Sequence, residues 1–180
     1  SGDNSFRARI RGGSYGAVRY SIVWGWASWA DRWRKYRGEL DGWPKESGEI
    51  NWISPTEQRQ FTRIFDQMMK TGKPDSWAYP LTYTVLANSG FWIIPKKNLI
   101  SNIGFGPVST HTKSTTHFRS GARTKSLGVI RHPKDPTKNI NQLEFMRRML
   151  AIHELNVIAR ARIRIMTWRN KRSKQKRGGR

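Results

Sequence analysis

Eight of the nine tryptophans crowd into the first 92 of the 180 residues, at 24, 26, 29, 33, 43, 52, 77 and 92, and only Trp168 lies beyond them. Indoles in such numbers cannot all be left in water, so whatever that part folds into has to be built around them. Their faces also suit flat ligands such as sugar rings and bases. A length of 180 residues suffices for one domain with a real core, and a hydrophobic content of 36% agrees with that. The chain has no cysteine, which excludes a disulfide scaffold and a cysteine-based zinc site.

The net charge of +22 is unevenly spread: Arg160 to Arg180 contribute ten basic residues and no acidic one, leaving +12 on the remainder. Such a tail can bind nucleic acid, anionic lipid or other polyanions, and its charge does not choose between them. No apolar run approaches the roughly 20 residues needed to span a bilayer, and no signal peptide opens the chain. The opening Ser-Gly-Asp-Asn, without a methionine or a preceding capped element, reads as a chain entered partway through a domain.

Taken in order, Phe6, Ala8 and Ile10 alternate with arginines and permit a short edge strand, broken by Gly12-Gly13. Tyr20 to Trp24 is β-rich. After Gly25, Trp26, Trp29 and Trp33 fall at spacings of three and four, with Tyr36 extending the same helix face. Those indoles either staple a helix to the core or, with Trp24 and Trp26 beside the glycine, line a pocket; different tryptophans can serve each purpose. Trp43-Pro44 and Trp52 read as packing anchors in a loop. A helix over about 55–70 starts at a Ser54 or Thr56 cap and sets Phe61, Ile64, Phe65 and Met68 on one side. It stops at Gly72. Leu81 to Asn88 suits helix or strand, Asn88-Ser89-Gly90 a turn, and Phe91 to Ile94 a buried strand.

That strand leads into Asn98 to Thr112, which has the layout of a site. Gly104 and Gly106 flank Phe105, allowing the backbone close to a ligand, and Pro107 stiffens the exit. His111 has the best context of the four histidines for metal or phosphate chemistry. Thr112 to Arg131 is polar and reads as a mobile loop. Leu143, Met146, Leu150, Val157, Ala161 and Ile165 fit a helical stripe, while Arg160 to Ile165 also alternates with period two and suits an extended end; from Arg169 the chain lacks core formers and should be disordered unless bound.

With these residues in view, the sequence resembles the C-terminal half of a bacterial family of nucleotide-diphospho-sugar transferase-like proteins, similar to family-2-type glycosyltransferases of GT-A fold. The pieces that carry the resemblance are Ser1-Gly-Asp-Asn4, Trp24 to Trp29 with Trp33, Trp43-Pro44, Asp75-Ser-Trp77 with Tyr79, Asn98 to Thr112, and His132-Pro133. It covers residues 1–133 as the acceptor-side part of an α/β, partial GT-A-like domain. A C-terminal helical extension over 134–168 and a disordered basic tail over 169–180 follow.

The resemblance implies sugar transfer from a nucleotide-sugar donor to a glycan or lipid-linked acceptor, with a divalent cation, Mn2+ or Mg2+, on the diphosphate. It implies that Trp24, Gly25, Trp26 and Trp77 shape the sugar pocket, that Gly104, Phe105 and Gly106 close over the diphosphate, and that His111 is a metal ligand. Two departures stand out. The chain has no Asp-x-Asp, and the family's aspartate after the Ser-Trp pair is Ala78 here, with Pro80 also breaking the pattern. Asp75, three residues earlier, replaces that base only if the backbone turns it inward. The expected location is cytoplasmic, or peripheral at the inner face of the membrane through the basic helix and tail. The alternative is a basic nucleic-acid-binding protein.

Overall fold

The structure, a computed structural model, describes residues 1–104 and 121–150. The chain forms two compact units, Ser1–Phe145 and Met146–Arg180. Of the second, 146–150 are described and all are helical. Phe105, Gly106, His111, the 112–120 part of the expected 112–131 loop, the stripe at Val157, Ala161 and Ile165, and the tail from Arg169 therefore lie outside the described residues.

The first unit runs β1 (Tyr15–Val18), α1 (Ala30–Trp33), a 3₁₀ turn (Lys45–Gly48), α2 (Pro55–Thr71), α3 (Ala78–Ala87) and β2 (Trp92–Pro95). The strands pair antiparallel, Tyr15 opposite Pro95 and Val18 opposite Trp92. An unpaired strand edge exposes backbone donors and acceptors, and here the second edge of β1 is covered by the segment 131–142. Ser14 N–H donates to the Arg131 carbonyl at 2.8 Å and Ala17 N–H to that of Pro136 at 2.7 Å. The amides of Asn139 and Gln142 donate to the Tyr15 and Ala17 carbonyls, at 2.8 and 2.7 Å. Two of the residues in this segment are prolines, which cannot build a ladder, so side-chain amides substitute for strand bonds. This stitching carries the unit past residue 133 to Phe145. A Cβ at Gly16 would lie 2.5 Å from Asn139 Oδ1 and 2.8 Å from Ile140 Cδ1, so the strap closes only over glycine.

Helix α2 follows its sequence signals closely. Ser54 Oγ accepts from Glu57 N–H at 3.1 Å, Pro55 opens the first turn, and the Glu57 carboxylate reaches back to Ile53 N–H at 2.7 Å. Gly72, at φ +64°, ends it by donating to the Met68 carbonyl at 2.8 Å. Its buried face, Phe61, Ile64 and Phe65, continues an edge-to-face aromatic chain: Tyr20 on Phe61 (5.0 Å), Phe65 on Trp43 (5.1 Å) and on Tyr83 (5.6 Å). The ambiguous 81–88 run is helical. Helix α3 buries residues on nearly every side, and its two buried threonines satisfy their hydroxyls on the Ala78 and Pro80 carbonyls, each at 2.9 Å.

Three expected elements are absent or shorter. Residues 6–10 form no strand: Arg7 sits at φ +53° and Ala8 N–H is taken by Asn4 Oδ1 at 2.8 Å, so the ladder has no donor there. Residues 20–24 form no strand: β1 ends at Val18, and the Trp24 carbonyl is taken by Ser1 Oγ at 3.2 Å. The tryptophan helix contracts to Ala30–Trp33, with no side-chain cap and no buried residue, and Trp26 stands outside it.

Arg19 and Glu57 lie buried side by side, 3.8 Å apart, between β1 and α2. Burial raises the Glu57 carboxyl above its ordinary value, with the Ile53 amide and Arg19 opposing. The folded chain therefore keeps that proton where the unfolded chain has released it, and stability falls as pH rises from about 4.5. Urea denaturation of wild type against Glu57→Gln should show the wild type losing ground to the variant as pH is raised through that range; a constant difference would mean the carboxyl is solvated. Arg19→Met, which strands Glu57, should cost about 3–5 kcal/mol at neutral pH.

Candidate functional site

The second aromatic group is not core. Trp26 packs against Trp33 (5.5 Å between centroids), Trp77 (5.4 Å) and the buried Trp92 (6.2 Å). Trp33 in turn stacks almost parallel on Tyr36, at 4.8 Å and 6°. The Tyr36 hydroxyl donates to the Trp77 carbonyl at 3.4 Å, and burial raises that phenol above its usual value, so it stays a donor. Unlike the Phe65–Tyr83 core, this group is left partly in water: Trp29 is 71% exposed, Trp77 45% and Trp33 43%.

Its position is set by a small polar anchor. Arg37 N–H donates to Thr84 Oγ1 at 3.0 Å, and its guanidinium pairs with Glu46, which also accepts from the Tyr83 hydroxyl at 3.3 Å. The hydrogen bond from Arg37 holds the Glu46 carboxyl below its ordinary value. The chain leaving α1 is thereby fastened to α3, and the indoles before it are held over that helix.

An open cavity of ≈ 350 Å³ lies beside the cluster. Trp26, Trp29 and Trp33 line it from one segment, Leu81, Thr84, Val85 and Asn88 from α3, and Phe91 to Ile93 from the approach to β2. Arg32, which lies 3.3 Å from the Asp31 carboxylate, and Lys35 add positive charge, and among the described residues no carboxylate lines it. An apolar cavity with a few convergent polar groups is the ordinary form of a small-ligand site.

Of the residues expected in a site, Trp26 lines the cavity and Trp77 packs behind it. Trp24 and Gly25 are placed differently. The Trp24 carbonyl accepts from Ser1 Oγ at 3.2 Å, and Gly25, at φ +50°, accepts from Gly2 N–H at 2.8 Å. A Cβ on Gly25 would lie 2.5 Å from Ile100 Cγ2, so this glycine serves close packing that aims Trp26. Gly104 is exposed, its N–H held by Asn102 Oδ1 at 2.8 Å. Asp75 is outside the cavity lining; its carboxylate is 86% exposed and lies 3.8 Å from Lys73.

Among the described residues no three side chains of His, Cys, Asp or Glu converge as a metal site. Asp3 is buried but accepts from Ser5 Oγ at 3.1 Å, a local turn contact. The described residues thus do not by themselves fit a divalent cation.

No protein-family model, curated protein or solved structure matches the chain. The candidate site therefore stands on its own geometry.

The sequence reading missed the α3 wall. Leu81, Thr84, Val85 and Asn88 recur at three, four and seven, a helical stripe visible once the run is taken as helix. Arg32 and Lys35 carried no signal that set them apart from the other basic residues of the chain.

The two roles of indoles should separate on mutation. Trp29→Ala, removing a mostly exposed ring, should change unfolding free energy by less than about 0.5 kcal/mol. Trp26→Ala, which opens the centre of the cluster, should cost about 2–3 kcal/mol. Equal costs in urea denaturation would show that Trp29 is part of the packed structure.

Proposed function

We propose that this chain is the acceptor-side portion of a GT-A-like, α/β glycosyltransferase, and that the tryptophan-walled cavity receives the glycan or the sugar of a lipid-linked acceptor. The observation that carries the reading is the Trp26 cluster, with the rings of Trp29 and Trp33 open to solvent beside a cavity of ≈ 350 Å³. A pyranose presents an apolar C–H face that stacks on an indole and a rim of hydroxyls that needs hydrogen bonds. Asn88 and Ser28 line the same cavity and supply such groups. Arg32 and Lys35 suit an anionic group on the ligand, whether a phosphate or a carboxylate.

In this reading Gly104, Phe105 and Gly106 belong to the side of the nucleotide-sugar donor, and His111 contributes to a Mn2+ or Mg2+ site. The cation would neutralise charge on the departing diphosphate. What the described residues do is narrower: the indoles orient the acceptor ring, and the cations hold its anionic part. Asp75 would act as general base only after leaving Lys73 and turning toward the acceptor. The reading goes with a cytoplasmic protein or one at the inner face of a membrane. Among the described residues no helix is long and apolar enough to cross a bilayer.

A second reading takes the same cavity as a base-stacking site for single-stranded nucleic acid, favoured by Arg32 and Lys35 beside the exposed rings of Trp29 and Trp33. Calorimetric titration with nucleotide-sugars and oligosaccharides, with and without Mn2+, and with a short oligonucleotide separates them. Saturable heat from a sugar ligand, weakened about tenfold by Trp29→Ala, is the expected result. Heat from the oligonucleotide alone, lost in the same variant, would replace the transferase reading with the second.

A further inference from the structure

The carboxylates are segregated. None occurs between Asp3 and Asp31 or between Asp75 and Asp135, whereas eight of the twelve lie in 31–75. The folded unit brings acid-free segments together. Lys96 N–H donates to the Ser14 carbonyl at 2.8 Å, and Ser14 N–H to that of Arg131, also at 2.8 Å. Lys125 N–H donates to the Asn98 carbonyl at 2.9 Å, and Lys97 Nζ to that of Ser126 at 3.0 Å. One stretch of surface therefore carries Lys96, Lys97, Arg123, Lys125 and Arg131, all exposed and none in a salt bridge among the described residues.

At the centre of that stretch the loop 126–130 is tied at both ends and presents aliphatic side chains outward. Gly128 takes φ +66° with its N–H on Ser126 Oγ at 3.1 Å, Val129 is 85% exposed and Ile130 56%. Two adjacent aliphatics in water, ringed by cations, are unfavourable on a surface that meets only solvent. They are complementary to an anionic bilayer, whose headgroups attract the cations and whose acyl boundary takes the aliphatics. A nucleic acid would match the charge and leave Val129 and Ile130 in water; the exposed aromatics that stack on bases lie at the other site.

We propose that the 123–131 segment, with Lys96 and Lys97, docks this protein on a membrane surface containing anionic lipid, with Val129 and Ile130 entering the interface. This surface is separate from the tryptophan cavity and from the basic tail, and it holds whether or not the transferase reading does.

The test is flotation of the full chain with vesicles of phosphatidylcholine alone and of phosphatidylcholine mixed with phosphatidylglycerol, using wild type, Val129→Ser/Ile130→Ser and Arg123→Glu/Lys125→Glu. All four positions are exposed, so both variants should fold as wild type does. Wild type should float only with the phosphatidylglycerol vesicles, and each double variant should weaken that binding on the order of tenfold. If both variants float as wild type does, the attraction resides elsewhere in the chain and the proposal fails. It fails equally if the charge variant alone loses binding and an oligonucleotide displaces the vesicles, because the surface is then a general polyanion site.

Discussion

The Asn4 amide holds together the parts of this molecule that have no regular structure. It is buried, and donates to the carbonyls of Pro95 at 2.8 Å and Lys96 at 3.1 Å while its oxygen accepts from Ala8 N–H at 2.8 Å. Its own N–H goes to Asn98 Oδ1 at 3.0 Å, and Asn98 Nδ2 goes on to the carbonyls of Ile100 and Arg123, at 2.6 and 3.2 Å. Irregular backbone taken out of water has no ladder to satisfy it, and each orphaned group costs about 1–3 kcal/mol. Two asparagines, each presenting donors and an acceptor, replace that ladder for the end of β2, the 4–8 turn and the 98–100 segment. Gly2 joins the same seam, accepting from Leu99 N–H at 3.0 Å and donating to Gly25, which in turn places Trp26.

The aromatic residues divide according to what surrounds them. Trp43 gives its indole N–H to Asp66 at 2.9 Å and packs edge-on to Phe65 and Tyr83, so both its faces and its polar atom are used inside. Trp26 and Trp33 are bounded on one side by other rings and on the other by the cavity. Helix α3 serves both groups, with Tyr83 and Leu86 fully buried in the core and Leu81, Val85 and Asn88 along the cavity. That shared use explains why α3 lacks a polar face and why its threonines must bond to their own helix.

Helix α2 was legible because everything that defines it is local: Ser54, Pro55, Glu57 and Gly72 fix the ends and the apolar spacing fixes the face. β2 was legible as a short apolar run bounded by a turn. The strap at 131–142 was not, because its bonds to β1 join residues more than a hundred positions apart and are made by amide side chains in a proline-rich stretch. Periodicity at 26, 29 and 33 suggested a helical face, yet only part of that stretch is helical; the rings meet because Gly25 turns the chain, a tertiary cause that spacing cannot show. The cavity was partly visible, through Trp26, while its second wall depended on which way α3 faced.

The same segregation that frees the cations of the strand side binds the acids of the helical side. Glu46 holds Arg37, Glu57 lies against Arg19 and Asp66 takes the Trp43 indole, so these carboxylates in 31–75 are spent on fixing loops to helices. Among the cations of the 96–97 and 123–131 segments, Lys97 ties its ammonium to the Ser126 carbonyl at 3.0 Å, while Lys96 and Lys125 are held through their backbone N–H groups. The two surfaces of interest are nonetheless mechanically joined. Ile100 abuts Gly25, which aims Trp26 at the cavity, and Asn98, two residues away, ties down Arg123 and Lys125. Both surfaces belong to a single compact unit, so whatever docks on one surface fixes the orientation of the other.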